Sequence, residues 1–175
     1  MIEVRRARLP DDIAAITAID TSFETESRLA PIATERGIDF LSVGAKQTKT
    51  FPLDDLHDPD RPWDTAWVVV RDEEICGFAA VGYQDWNRRL ALWHFYVDRA
   101  ARRRALGHRL MDAVLAHARE VEARNIWLET SNLNTPGVAA YKALGFEMTG
   151  FDLTLYDGTQ AEGEFALFFS RRVED

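Results

Sequence analysis

Three strand-like runs in immediate succession, followed at once by an amphipathic helix, constrain this chain most. "TAWVVVRDEEICGFAAVGYQDW", starting at Thr65, divides at "RDEE" into two runs rich in β-branched and aromatic residues. "RRLALWHFYVD" supplies a third, strongly β-prone run ending near Val97. From about Ala105 to Ala123 apolar residues then recur at helical spacing: Leu106, Leu110, Met111, Val114, Leu115, Ala118 and Val121.

The flanking segments extend the pattern. "IEVRRARL" alternates as a strand does, and "PDDIAAITAID" reads as a helix with an Asp cap and apolar Ile13, Ile16 and Ile19. "NIWLETS" is a further strand. "NTPGVAAYKALGF" reads as a compact helix with Thr135 as cap, Pro136 in the first turn and Gly145 just past the end. "GFDLTLY" and "EFALFFSRR" form a closing hairpin around "DGTQAEG". Residues 21–64 show no sustained period. They read as loops and short elements, the expected place for substrate-contacting structure. The resulting order, β-α-(irregular)-β-β-β-α-β-α-β-β, is that of an α+β or mixed-sheet domain, a single one over residues 1–175.

Composition excludes several classes. Apolar residues make up 46% of the chain, enough for a real core. The net charge of −8 argues against broad nucleic-acid binding and suits a small cationic substrate. The lone Cys76 leaves no internal disulfide and no cysteine-rich zinc site, and no metal is expected. Its apolar surroundings in "EEICGFAAV" read as those of a buried, inert thiol. No run approaches the roughly 18 apolar residues of a membrane span. "MIEVRRARLPDD" has no secretory core, so a reduced cytoplasmic setting is expected. Strand edges and the C-terminal hairpin are compatible with a homodimer.

Against this acidic background, "VDRAARRRALGHRL" holds five arginines between Arg99 and Arg109. It leaves a strand at Val97 and enters a helix near Ala105. A helix N-terminus offers unpaired N–H groups and a positive dipole end. Arg102, Arg103, Arg104, Ala105, Leu106 and Gly107, with His108 beside them, could therefore hold a pyrophosphate through backbone amides. Local physics alone leaves two other readings open, a solvated basic face and a nucleic-acid arm.

Two motifs in order carry a resemblance. The first is "VDRAARRRALGHRL", in which Arg102 leads, Ala105 stands where a first glycine is usual and Gly107 is the second. The other is "IWLETSNLNTPGVAAYKALGFE", with Asn134, Tyr141 and "LGF" at 144–146. Together they resemble the GNAT superfamily of acetyl-CoA-dependent N-acetyltransferases. "SFETESR", "DWN", "LWHFYV", "LETSNLNTP" and "GFDLTLYDG" are similar to its streptothricin (nourseothricin) acetyltransferases. Trp93 stands where relatives commonly carry an acid.

The resemblance implies a mixed, mostly antiparallel twisted sheet of about seven strands, about four flanking helices and a splayed strand pair that receives acetyl-CoA. Phe95, Tyr96 and Val97 would pair with the pantetheine arm, residues 102–108 would take the pyrophosphate, and Asn134 would contact the cofactor arm. Tyr141 would act as general acid and also touch the cofactor; outside that frame it is simply a packed helix tyrosine. Glu129 is the first choice as general base, with Asp85 and His94 in reserve. Glu129 as a mere anchor for a cation, or capture of free amine from solution, are the alternatives. Phe23, Glu24, Asp85, Trp86 and His94 would meet the substrate. The implied reaction is direct attack of a small cationic molecule's primary amine on the thioester. A protein or peptide amine as acceptor, or a non-catalytic acyl-CoA-binding domain, are the competing readings.

Overall fold

The computed structural model describes residues 1–174. Its strands are β1 (Ile2–Arg6), β2 (Phe23–Thr34), β3 (Gly37–Lys49), β4 (Thr65–Arg71), β5 (Glu74–Gln84), β6 (Arg89–Val97), β7 (Asn125–Ser131), β8 (Glu147–Asp152) and β9 (Ala166–Arg172). Three α-helices occur among the described residues, one fewer than expected: α1 (Ile13–Thr17), α2 (Leu106–Glu120) and α3 (Thr135–Ala143). Seven strands form one mixed sheet in the order β1-β4-β5-β6-β7-β9-β8, and β2 and β3 pair by themselves. The β6–β7 ladder is parallel and covers only Arg89–Ala91 against Asn125–Trp127. The β1–β4, β4–β5, β5–β6 and β8–β9 ladders are antiparallel.

The chain divides into two compact units. The first comprises Met1–Ser22, Thr50–Leu128 and the C-terminal residues from Arg171. Here the apolar stripe of α2 does what its spacing predicts: Leu106, Leu110, Met111, Val114, Leu115 and Ala118 are all buried. Close approach of helix and sheet depends on Gly77. A Cβ there would lie 2.6 Å from Val69 Cγ1 and 3.2 Å from Leu110 Cδ1. A second cluster gathers Ile13, Ile16, Ile19, Leu56, Trp63, Val68 and Phe78. Asp12 stands at the start of α1 without capping it. Its carboxylate accepts two bonds from the Arg5 guanidinium (2.7 and 2.9 Å) and one from the Arg8 N–H (2.7 Å). The Arg5 bonds are the main reason the Asp12 carboxyl sits below its usual range. Cys76 is buried, and burial raises its thiol pKa, as an inert core cysteine requires.

One irregularity in this unit bears on function. In the β5–β6 register Ala80 faces His94 while Val81 faces Leu92, so Trp93 is an extra residue on β6. Such a bulge bends the strand and re-aims the side chains beside it. Trp93 points outward, 45% exposed.

The second unit comprises Phe23–Lys49 and Glu129–Ser170. It corrects the expectation of loops over 21–64, because β2 and β3 form a long hairpin that turns at Gly37, φ +131°. The outer part of this ribbon is mostly exposed, including Ile38 and Leu41 at 50% each. No buried face imposed an apolar alternation on its sequence. The first residue of α3 is Thr135; the cap is Asn134, whose side chain accepts from the Gly137 N–H at 3.0 Å. β8 also starts earlier than expected, at Glu147, and its chain has left the sheet by Leu153. Asn132, almost fully buried, ties this unit together. Its amide donates to the Leu29 carbonyl (2.9 Å) and accepts from the Phe165 N–H (3.1 Å).

Candidate active site

In the first unit the basic loop has a backbone geometry suited to an anion. Asp98 follows β6 and accepts from the Ala100 N–H (2.9 Å) and the Asp20 N–H (3.0 Å), which fixes the exit of the strand. Arg103 and Ala105 both take left-handed backbone, φ +64° and +59°. Left-handed residues interleaved with ordinary ones turn successive N–H groups toward one side, forming a nest. Among the described residues, none accepts a hydrogen bond from the backbone N–H groups of residues 103–108. Leu106 is buried and anchors the helix start, while Arg103, Arg104 and His108 are exposed around it. A Cβ at Gly107 would meet only the Phe95 ring, at 3.8 Å, so nothing within the protein requires glycine there. Bare backbone at that position suits a group approaching from outside.

These features fit the pyrophosphate of a coenzyme A molecule. Arg102 plays a different part from the rim contact expected of it. Its Nε donates to the Val97 carbonyl at 3.0 Å, fastening the loop to the strand end, and burial lowers its pKa. Ala105 pays for its left-handed backbone, a conformation that costs an L-residue about 1–2 kcal/mol. We therefore expect Ala105→Gly to raise stability by about 1 kcal/mol in denaturant melts. An unchanged or lower midpoint would show that the loop carries no such strain.

The rest of this unit's candidates separate from that loop. Asp85 and Trp86 lie in the exposed turn from β5 to β6, with Trp86 86% exposed. Arg89, where β6 begins, precedes Phe95 by six residue steps, roughly 20 Å of extended strand. The structure thus places Asp85 and Trp86 at the wrong end of β6 for the part expected of them. His94 is a core residue. Its Nε2 lies 2.9 Å from both oxygens of Asp55, which also accepts from the Trp63 indole at 2.7 Å. The His94 ring stands beside Trp63, Phe78 and Tyr96, at 5.7–6.0 Å between ring centres, and the residue is buried, which makes it a packed core residue rather than a substrate contact.

In the second unit acids, an amine and two phenols converge. Glu129 stands on β7 and accepts a hydrogen bond from the Tyr156 hydroxyl at Oε1. Among the described residues, no donor reaches its Oε2. Burial holds the Glu129 carboxyl above its usual range, opposed by the Tyr156 bond and by the charge of Lys49. Lys49, the last residue of β3, pairs with Glu164, and the same Glu164 oxygen accepts from the Ser131 hydroxyl. Tyr141 on α3 packs against Phe146 and Phe169 at 6.0 and 6.3 Å between ring centres. Part of the residue reaches the surface, yet its phenol is desolvated. That burial, followed by the negative charge of Glu129, pushes its pKa up to about 12.

Asn134 is engaged at both ends of its amide, accepting from Gly137 and donating to the Thr130 hydroxyl at 2.9 Å. It shapes the start of α3, while its backbone closes the turn from Ser131 at 2.9 Å. Phe23 is buried rather than presented as a wall, and Glu24 is exposed on the opposite face of β2. Tyr156, Lys49, Glu164 and Ser131 were not foreseen. "GFDLTLYDG" and "LETSNLNTP", quoted above for their likeness to relatives, contain Tyr156 and Ser131, and the run "EFALFFSRR" begins at Glu164, but no role was read for any of them. Among the described residues no cluster of three or more His, Cys, Asp or Glu is arranged for a metal ion. Nor, among the described residues, is any helix long and apolar enough to cross a membrane.

Comparison with known proteins identifies the family. Residues 32–146 match the Acetyltransferase (GNAT) family. The streptothricin acetyltransferase of Streptomyces lavendulae is 37% identical over 96% of this chain and 93% of its own length. The crystal structure of a nourseothricin acetyltransferase superposes with a TM-score of 0.86 at 35% identity, over 99% of both chains. A Bacillus anthracis str. Ames protein solved with acetyl coenzyme A gives a TM-score of 0.83 at 24% identity, covering 98% of this chain and 99% of that one, and shows the same fold.

Proposed function

The chain belongs to the GNAT acetyltransferase family and is an enzyme that uses acetyl-CoA; from that premise we propose that it acetylates a primary amine of a small, cationic, streptothricin-like molecule. The observation that carries the reading is the half-buried carboxylate of Glu129, with one oxygen held by a phenol and the other without a donor among the described residues. Glu129 and Glu164 against Lys49 leave that cluster one net negative charge, matched to one ammonium. The similarity to a streptothricin acetyltransferase supports the choice of acceptor.

The residues divide the work. Backbone amides of 103–108 hold the pyrophosphate, with Arg103, Arg104 and His108 around them. Phe95, Tyr96 and Val97 hold the arm, and Asn134 positions the start of α3 for the same purpose. When bound, acetyl-CoA supplies an acetyl group activated as a thioester. Glu129 Oε2 accepts the proton that the acceptor's ammonium must lose before it can attack. A raised carboxyl pKa makes Glu129 a better base near neutral pH. Tyr141 keeps its proton at every physiological pH, so its Oη can donate a hydrogen bond where sulfur charge develops. With a pKa of about 12 it is a far weaker acid than a thiol of about 8.5, so it donates the bond more readily than the proton. The whole chain acts as one acetyltransferase domain in the cytoplasm.

A panel of acceptors tests the reading: a streptothricin, an aminoglycoside, a polyamine and a peptide with a free N-terminus. Acetylation of each is followed by mass, and the streptothricin is expected to give the highest kcat/KM. A peptide ranking first would transfer the proposal to protein amines.

A further inference from the structure

Glu129 is the second unit's reactive carboxylate on the reading above, and its setting contains a device that the reading does not require. Glu129 and Ser131 are two residues apart on β7, so their side chains share a face of the strand. Both receive a partner from the turn-rich segment between β8 and β9: Tyr156 on Glu129, Glu164 on Ser131. The segment is thus fastened to one face of β7 at two points. Lys49 completes the second fastening from the end of β3. Around these points the segment is exposed, with Leu153 and Leu155 46% and 47% accessible, whereas Tyr156 turns inward.

We propose that Tyr156 is the positioning residue of the Glu129 base, holding Oε1 so that Oε2 alone faces the acceptor's ammonium, with the Lys49–Glu164 pair fixing the charge beside it. The inference rests on Glu129 being the base. A hydrogen bond at one oxygen restrains the carboxylate's rotation and so biases the direction in which the other oxygen's lone pairs point. Tyr156 suits this task because its phenol is held well above its ordinary range by burial and by Glu129 itself. It therefore remains a donor and never competes for the acceptor's proton. The phenol also opposes burial: donating to the ionised form, it keeps Glu129 a usable base in a site that favours the protonated acid. Lys49 acts in the same direction through its charge.

The test is the pH dependence of kcat/KM in Tyr156→Phe, which removes one oxygen and keeps the ring. A base must be ionised to work, and loss of the phenol donor disfavours ionisation. The acidic limb of the profile is therefore expected to move to higher pH, and kcat/KM on that limb to fall about tenfold. In a Glu129→Gln background the same change is expected to cost little further, because the two act as one unit. Acetyl-CoA affinity reports that the protein is folded. If Tyr156→Phe does not fold, Lys49→Gln, which removes the positive charge and with it the ion pair to Glu164, is expected to move the limb in the same direction. An unmoved limb in a folded variant, or an equal loss in both backgrounds, overturns the positioning role while leaving the base intact. A limb that survives in Glu129→Gln overturns the base and the positioning role together.

Discussion

Tyr141→Phe is expected to lower kcat by about 10²–10³ while leaving acetyl-CoA binding within about twofold. The change removes one oxygen from a ring whose packing against Phe146 and Phe169 is unaltered, so the loss belongs to the hydroxyl. A donor whose partner acquires charge only during reaction contributes to kcat and not to ground-state binding. The phenol's pKa of about 12 sets a second expectation. Activity of the parent enzyme should show no basic limb attributable to Tyr141 below about pH 11. A Tyr141→Phe enzyme that keeps its kcat, or that loses acetyl-CoA affinity in proportion, would return Tyr141 to the role of a packed helix residue.

Glu129→Gln is expected to be equally costly to activity and the reverse to stability. Loss of the base should lower kcat/KM by about 10²–10³. The sign for stability follows from the raised carboxyl. Burial is the main cause of that shift, so the folded protein binds a proton that the unfolded chain has already released. Stability therefore falls as pH rises from the unfolded carboxyl range through the folded pKa. Glutamine has no charge to bury and can still accept from Tyr156. The variant should melt at or above the parent's temperature at pH 8, and the difference should vanish in acid. A variant less stable than the parent at all pH values would mark Glu129 as structural.

How much of this was legible in the sequence depended on what each residue touches. β7 was readable as "NIWLETS", residues 125–131, and the stripe of α2 was readable because burial on one face imposes a period. The β2–β3 hairpin was not, since most of its outer part faces solvent and either face can carry polar residues. The loop at 103–108 stood out for its arginines between a strand and a helix, yet what suits it to an anion is backbone geometry. Left-handed Arg103 and Ala105 leave no mark in the residue types. Thr135 reads as the cap of α3 in the sequence, whereas the capping side chain is that of Asn134, one residue earlier. Asp85, Trp86 and His94 were polar or aromatic residues near the right strand in sequence. Only the register of β6 shows that the first two sit at its other end and the third in the core. Tyr156 is 27 residues from Glu129, and Lys49 is 115 from Glu164. Contacts across such separations follow no local period, so no spacing could have joined them.

The most direct test of acetyl transfer to a cationic amine is stoichiometric. Thiol release from acetyl-CoA is followed with and without the streptothricin acceptor, and the acetylated product is counted by mass. The account predicts almost no thiol without acceptor and one acetylated amine for each thiol released, as direct attack requires. A burst of thiol in the absence of acceptor, or acetyl-CoA binding with no turnover on any amine, would contradict it.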